Sequence, residues 1–121
     1  MNPHRLYLAG PMSGLPEYNH PAFHAAASQL RAAGYTVISP TDNGLPPEAP
    51  WADHMRRDVV LMIQNATALA TLPGHRYSRG AQIETNLAAS LGMPVMNVEQ
   101  WLEMVQAADL TTHTTAAAQE A

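Results

Sequence analysis

Short apolar runs alternate with longer segments in which apolar residues recur every three or four positions along most of the chain. The short runs predict strands over residues 6–9, 35–39, 68–72 and 95–98. The longer segments predict helices over residues 21–33, 51–64, 79–91 and 98–107. Strands that alternate with helices are typical of repeated βα units, so the pattern predicts an α/β fold with a parallel sheet.

The same spacing predicts which side of each helix is buried. In the third helix Ile83, Leu87 and Leu91 recur every four residues, so we expect them to face the core. Glu84 flanks this stripe, about 100° around the helix from Ile83. In the second helix the side chains expected to face the core are Trp51, Met55, Val59, Met62 and Ile63.

Length and composition indicate one globular domain. The chain has 121 residues, of which 46% are hydrophobic and 13% are charged, and we expect the domain to span residues 1–108. Residues 109–121 are rich in Thr and Ala and have no periodic apolar face, so we expect a mobile tail.

Charge and residue usage exclude several classes of function. Ten acidic and six basic residues give a net charge of -4, which argues against binding to a nucleic acid polymer. The absence of cysteine excludes disulfides and thiolate chemistry. No signal peptide and no apolar run of roughly 18 residues is recognised, so we expect a cytoplasmic protein without a membrane partner.

Three segments follow predicted strands, at the edge where parallel sheets bind ligands: residues 10–14, 41–50 and 73–80. Gly10 and Gly14 lack the spacing of a dinucleotide-binding loop, and no Walker lysine follows. The first segment is therefore a structural turn or a backbone cradle for a phosphate or sugar, with Ser13 as a donor.

The third segment brings a carboxylate to a helix N-terminus. Ser78 is a natural N-cap, and Gly80 and Ala81 leave space beside it. Helical side chains lean toward the N-terminus, so Glu84 should lie over these small residues. Asp58 lies in an otherwise apolar stretch of the second helix and is either a surface charge or a second carboxylate of the same cleft. Two carboxylates together could cleave a glycosidic bond.

Metal chemistry is not expected. His20 and His24 are four residues apart on one helix, whereas His54 and His75 are isolated, and no H-E-x-x-H arrangement is present. We expect neither a metal nor a cofactor.

Together these segments resemble the nucleoside 2-deoxyribosyltransferase superfamily, above all a small branch of unknown function encoded by phages and bacteria. The resemblance covers roughly residues 5–98 and rests on residues 7–14 (YLAGPMSG), Asp58, and residues 72–84 (LPGHRYSRGAQIE). It implies a flavodoxin-like or Rossmann-like three-layer α/β fold with a parallel sheet of four to five strands. It also implies cleavage of a nucleoside N-glycosidic bond, with no cofactor.

The resemblance assigns roles to three residues. Glu84 corresponds to the nucleophile that forms a glycosyl-enzyme, and Tyr7 to the tyrosine that orients it. Asp58 corresponds to the aspartate that contacts or protonates the departing base. Sites in this superfamily are often completed by a neighbouring subunit, so we expect a homo-oligomer, either a dimer or a tetramer.

The position six residues before the nucleophile is acidic in the transferases that act on free nucleosides and serine in the related nucleoside 5′-monophosphate N-hydrolases. Here it is Ser78, followed by the cationic Arg79, which favours a nucleoside 5′-monophosphate as the substrate. Base exchange by a deoxyribosyltransferase and nucleotide binding without catalysis remain alternatives. Gln82 and Ile83 stand where the family has small glycines and could narrow the pocket. The residues expected to bind the substrate are Gly10, Ser13, Gly14, Ser78, Arg79 and Gly80.

Overall fold

The computed structural model describes residues 3–108, in which four parallel strands lie between two layers of helices. The strands are β1 (Arg5–Ala9), β2 (Thr36–Ile38), β3 (Ala68–Thr71) and β4 (Val95–Asn97), in the order β2-β1-β3-β4. The helices are α1 (His20–Ala32), α2 (Trp51–Asn65), α3 (Arg79–Ser90) and α4, which covers residues 98–108. The predicted flavodoxin-like α/β fold with a parallel sheet is therefore confirmed.

Side chains of the central strand β1 alternate between the two faces of the sheet, as a strand requires. Leu6 and Leu8 pack on one face in the cluster that includes α1 and α4. Tyr7 and Ala9 pack on the other face in the cluster that includes α2 and α3. Every side chain of β1 after Arg5 is buried, because the sheet is covered on both faces. Tyr7 thus lies beneath α3.

Short 3-10 turns follow three of the strands and shape the carboxyl edge of the sheet. They cover Pro16–Asn19 after β1, Pro40–Asp42 after β2 and His75–Tyr77 after β3. Because the strands are parallel, all three loops leave the sheet at the same edge. The second turn opens the predicted 41–50 loop, which continues to the start of α2 at Trp51.

The prediction that Ile83, Leu87 and Leu91 form the buried side of α3 is wrong for Ile83 and Leu91, whereas Leu87 packs against the core. Ile83 and Leu91 are 41% and 56% exposed, and Leu87 is only partly buried. Small side chains about a quarter turn around the helix let its backbone approach the sheet closely, and a polar partner makes burial of a carboxyl tolerable. The buried residues of α3 are Ala81, Glu84 and Ala88.

The core-facing side predicted for α2 is also partly wrong. The structure buries Asp58 and Met62, whereas Trp51 and Ile63 are exposed. Trp51 instead packs against the guanidinium of Arg79 at the start of α3. Met55 and Val59 are partly buried.

The predicted mobile tail at residues 109–121 lies outside the described residues. Within residues 3–108 no helix is long and apolar enough to cross a membrane.

Candidate functional site

A cavity of about 340 Å³ lies at the carboxyl edge of the sheet. Its walls come from the loops after β1 and β2, from the first half of α2 and from the N-terminus of α3. Asp58 and Glu84 both line it, from different helices. The fold therefore brings together two carboxyl groups that are 26 residues apart along the chain (84 − 58).

Glu84 lies in the second turn of α3 and is only 4% exposed. The Tyr7 hydroxyl donates a 2.5 Å hydrogen bond to its Oε2 atom from the strand beneath. Within residues 3–108 no buried side-chain oxygen or nitrogen lacks a partner. Oε1 of Glu84 has no hydrogen-bond partner in this range, so it is not fully buried. It is therefore the carboxyl oxygen that faces the cavity. Tyr7 orients the carboxyl from behind and does not itself line the cavity.

Asp58 is held by a polar network that reaches into the loop after β2. The Asn43 amide donates to Asp58 Oδ1 at 2.9 Å and lies 3.0 Å from His54 Nδ1. His54 Nε2 lies 3.0 Å from the Pro46 carbonyl oxygen, which can only accept. The neutral His54 tautomer with its proton on Nε2 satisfies both contacts, since Nδ1 then accepts from Asn43. Asn43 Oδ1 accepts from the Leu45 N–H at 2.9 Å, so the amide is fully paired.

Asn43 and His54 were not among the residues predicted from the sequence. Asn43 lies in the predicted strand-end loop, and His54 lies one helical turn before Asp58. The spacing of four residues places His54 and Asp58 on one side of α2. That spacing is the signal that could have identified His54.

Burial sets the protonation of the three central groups. It raises the pKa of Glu84 to about 8, helped by the negative charge of Asp58 and opposed by the Tyr7 hydrogen bond. Burial also raises the pKa of Asp58 to about 6, opposed by the Asn43 hydrogen bond and by the positive charge that His54 carries whenever both its ring nitrogens are protonated. Burial and then the Glu84 charge raise the pKa of Tyr7 well above 10, so Tyr7 remains a donor. Such shifts cluster at sites of proton transfer.

The N-terminus of α3 opens onto the cavity. Ser78 caps the helix by accepting from the Ala81 N–H at 3.2 Å, and Ser78 and Gly80 both line the cavity. The guanidinium of Arg79 packs on the lining residue Trp51, 4.6 Å from the centre of its ring, but Arg79 itself is not part of the lining. Neither Lys nor Arg occurs among the lining residues of the described chain, whereas Glu48 adds a third carboxylate.

The other predicted binding residues separate into two groups. Gly10 and Ser13 line the cavity, but Gly14 does not. Gln82 and Ile83 are exposed on α3 and lie outside the lining, so the expectation that they narrow the pocket is wrong. Both side chains follow the outer surface of α3, where Gln82 donates to the Arg76 carbonyl oxygen.

Within residues 3–108 no group of three or more His, Asp or Glu side chains could hold a metal ion. The polar side chains of the cavity are its three carboxyls, the Asn43 amide, two imidazole rings and four hydroxyls, the last two sets from His20, His54, Ser13, Tyr18, Thr41 and Ser78. This arrangement can place one carboxylate as a nucleophile and the other as a proton donor across a small molecule.

Comparisons with known proteins agree with this fold. Residues 4–97 match the family model described as a domain of unknown function (DUF4406), and the chain belongs to that family. A solved structure of 2-deoxyribosyltransferase from the psychrotolerant bacterium Bacillus psychrosaccharolyticus is similar, with 28% sequence identity and a TM-score of 0.60. The match covers 77% of this chain and 70% of that chain. No curated protein matches. The resemblance to the nucleoside 2-deoxyribosyltransferase superfamily is therefore confirmed.

Proposed function

We propose that this DUF4406 protein transfers a 2-deoxyribosyl group from a nucleoside to a second base through a covalent bond to Glu84. The observation that carries the proposal is the convergence of Asp58 and Glu84 on one cavity, with Tyr7 hydrogen-bonded to Glu84 from the strand beneath. The similarity to a 2-deoxyribosyltransferase, over most of both chains, supports the same chemistry. The primary function expected from the sequence was hydrolysis of a nucleotide, and base exchange was the alternative.

The reaction proceeds in two displacements. Glu84 Oε1 attacks the anomeric carbon of the sugar, and a carbon–oxygen bond forms as the carbon–nitrogen bond to the base breaks. The electron pair of the broken bond remains on the base nitrogen, and Asp58 supplies the proton that neutralises the base. A second base then attacks the same carbon and returns its proton to Asp58. The bond to Glu84 breaks, and the carboxylate is restored.

The two carboxyls share the proton that this sequence of steps requires. Between pH 6 and pH 8 the raised pKa values of Asp58 and Glu84 leave about one proton on the pair. The higher pKa of Glu84 places this proton mainly on Glu84, so the reactive arrangement, with the proton on Asp58 and Glu84 ionised, is the less populated of the two. The Tyr7 hydroxyl favours this arrangement because its hydrogen bond stabilises the ionised form of Glu84.

The charges of the cavity favour an unphosphorylated nucleoside. A phosphate group carries about −1.5 to −2 charges at neutral pH and needs nearby cations or several backbone N–H donors. The described lining has three carboxyl residues and neither Lys nor Arg, and Arg79 stacks on Trp51 instead. These features weigh against the nucleoside 5′-monophosphate that Ser78 and Arg79 suggested.

Hydrolysis of a nucleoside 5′-monophosphate is the second candidate. The observation that favours it is the N-terminus of α3, which opens onto the cavity at Ser78 and Gly80 without an acidic residue. Free N–H groups at a helix N-terminus attract anions. In that reaction water replaces the second base and gives its proton to Asp58.

One experiment compares both candidates directly. The protein is incubated with 2′-deoxynucleosides or their 5′-monophosphates, with and without a second free base, and the products are separated by chromatography. We expect a new nucleoside from the unphosphorylated substrates. Faster release of base from the monophosphates, regardless of the second base, would favour hydrolysis.

Glu84 is tested in the same assay. Glu84→Gln should lower the rate by about 10³-fold or more, because the amide is a poor nucleophile. Glu103→Gln is the matched control, since Glu103 is exposed on α4. Mass spectrometry of the protein quenched during turnover should detect one added deoxyribosyl group, which Glu84→Gln should lack. Full activity in Glu84→Gln, or tight binding without any turnover, would overturn the proposal.

A further inference from the structure

One side of α2 forms a wall of the cavity. Trp51, Met55 and Asp58 are spaced by four and then three residues, which places them on the same side of the helix. All three line the cavity, and burial increases along the helix. Trp51 is 39% exposed, Met55 is partly buried, and Asp58 is 5% exposed. The wall thus begins with an aromatic ring at the open end and ends with a carboxyl at the closed end.

The surface between the ring and the carboxyl is mainly apolar, and the one polar side chain that α2 adds there, His54, is already hydrogen-bonded to Asn43 and Pro46. Met55 contributes a polarizable thioether, which makes favourable contacts with aromatic rings. The loop after β2 adds Leu45, Pro47 and Ala49 to the lining. Seven residues of α-helix span about 10 Å, which is enough for a flat one-ring or two-ring molecule to lie along the wall. Its polar edge would then meet Asp58.

Trp51 is held in place by α3. The Arg79 guanidinium lies 4.6 Å from the centre of its ring, a distance typical of a cation–π contact. Gly80 makes room for the junction, because a Cβ atom there would lie 3.0 Å from Met55 Sδ and 3.9 Å from Trp51 Cζ2. A half-exposed Trp fixed at a cavity entrance is prepared for stacking, since its ring loses little further freedom when a ligand binds.

The geometry points to a stacking subsite on Trp51 and Met55 for a planar heteroaromatic base whose polar edge meets Asp58. The identity of the ligand as a nucleobase rests on the proposed function, whereas the aromatic selectivity rests on the wall itself. Arg79 acts here as a positioning residue for Trp51. The subsite selects the leaving group by its flat aromatic surface.

Free adenine is the probe, and its affinity is measured by calorimetry for four variants of the full chain. Stacking on an aromatic residue contributes about 1–3 kcal/mol, so Trp51→Leu should weaken adenine binding by roughly 5- to 150-fold. Trp51→Phe keeps an aromatic face and should stay within about fivefold of the wild type. Arg79→Gln should fall between the two. Tyr77→Ala removes a 93% exposed aromatic ring outside the lining and should leave adenine affinity unchanged.

Tryptophan emission gives a second readout. Adenine should quench Trp51 in the wild type, and the quenching should be absent in Trp51→Phe. The other tryptophan, Trp101, is buried against the opposite face of the sheet, where its Nε1 donates to the Leu69 carbonyl oxygen. Its emission should not respond.

Equal adenine affinity in Trp51→Phe and Trp51→Leu would overturn the subsite, because a purely structural role does not distinguish an aromatic ring from an aliphatic side chain. No adenine binding by the wild type would overturn it too. Failure of the glycosyl transfer proposal is a separate result. If the protein is inactive but still binds adenine through Trp51, the glycosyl transfer proposal fails and the subsite stands. If the protein is active but Trp51→Leu leaves its nucleoside KM unchanged, the subsite fails and the glycosyl transfer proposal stands.

Discussion

At the scale of single residues, Glu84 reduces the stability of the fold at neutral and alkaline pH. Its raised pKa means that the folded protein binds this proton more tightly than the unfolded chain does. The free energy of unfolding therefore falls as the pH rises from about 4.5 to about 8. Glu84→Gln removes the ionisation and should stabilise the protein by on the order of 3–5 kcal/mol at pH 8.

Thermal melts of Glu84→Gln and wild type across pH test this expectation. The melting temperatures should coincide near pH 4.5 and diverge by about 10 °C or more at pH 8. Glu103→Gln, on the exposed side of α4, controls for the loss of one charge. A difference that does not depend on pH would contradict the assigned burial of the Glu84 carboxyl.

The shared proton predicts a bell-shaped pH dependence of kcat/KM for glycosyl transfer. Below about pH 6 both carboxyls bind protons and Glu84 is no longer a nucleophile, whereas above about pH 8 Asp58 has no proton to give. Each limb should change about tenfold per pH unit. In Asp58→Asn only Glu84 titrates, so the residual rate should rise with pH and then stay level. An alkaline limb that persists in Asp58→Asn would exclude Asp58 as the proton donor.

At the scale of elements, α3 marks the limit of prediction from periodicity. Large apolar residues usually indicate the buried side of a helix, but here Ile83 and Leu91 are exposed and the buried side lies about a quarter turn away. The inner side instead carries Ala81 and Ala88 around the functional Glu84. A helix whose N-terminus lies beside a cavity needs small residues on its inner side. Prediction from hydrophobic periodicity relies on large apolar residues, so it overlooks these small ones.

At the junction of α2 and α3, we expect Gly80→Ala to change adenine binding but hardly the stability of the fold. The Cβ atom of Gly80→Ala would meet the flexible end of Met55 at 3.0 Å, which can move aside into the cavity. Ala also favours helix by about 0.5–1 kcal/mol relative to Gly. The melting temperature should therefore stay within a few degrees of wild type, while adenine affinity falls several-fold. A large drop in melting temperature with unchanged affinity would show that the junction serves only folding.

Gly10→Ala, by contrast, should lower the stability of the fold. Its Cβ atom would lie 2.8 Å from Leu72 Cβ, close to the backbone of a buried residue that cannot move away. Overpacking of this kind costs about 1–3 kcal/mol, so denaturant titration should detect a lower free energy of unfolding. Unchanged stability would mean that the loop after β3 is free to shift.

At the scale of the whole molecule, the parallel topology explains why much of the site could be predicted from the sequence. Strands of one sheet end at the same edge, so the segments that follow them meet there whatever their separation along the chain. This rule and the family resemblance indicated Tyr7, Asp58 and Glu84 together. The Asn43 amide could not be predicted, because its contacts depend on how one loop folds over α2. The position of Arg79 also depends on packing, since the sequence does not show that Trp51 lies beside it.

The outer surface of the α2 and α3 layer predicts self-association. Ile63, Ile83 and Leu91 are each more than two-fifths exposed there, and the superfamily resemblance implies a homo-oligomer. We expect sedimentation velocity to find a dimer or tetramer, and Ile83→Glu to weaken the association about tenfold or more, because it buries a charge in an apolar contact. Met104→Glu changes a similarly exposed residue on α4, in the opposite layer, and should leave the association unchanged. A charge weakens association only where it becomes buried, so equal effects of the two substitutions would exclude the α2 and α3 layer as the interface. A monomeric wild type would exclude the oligomer itself.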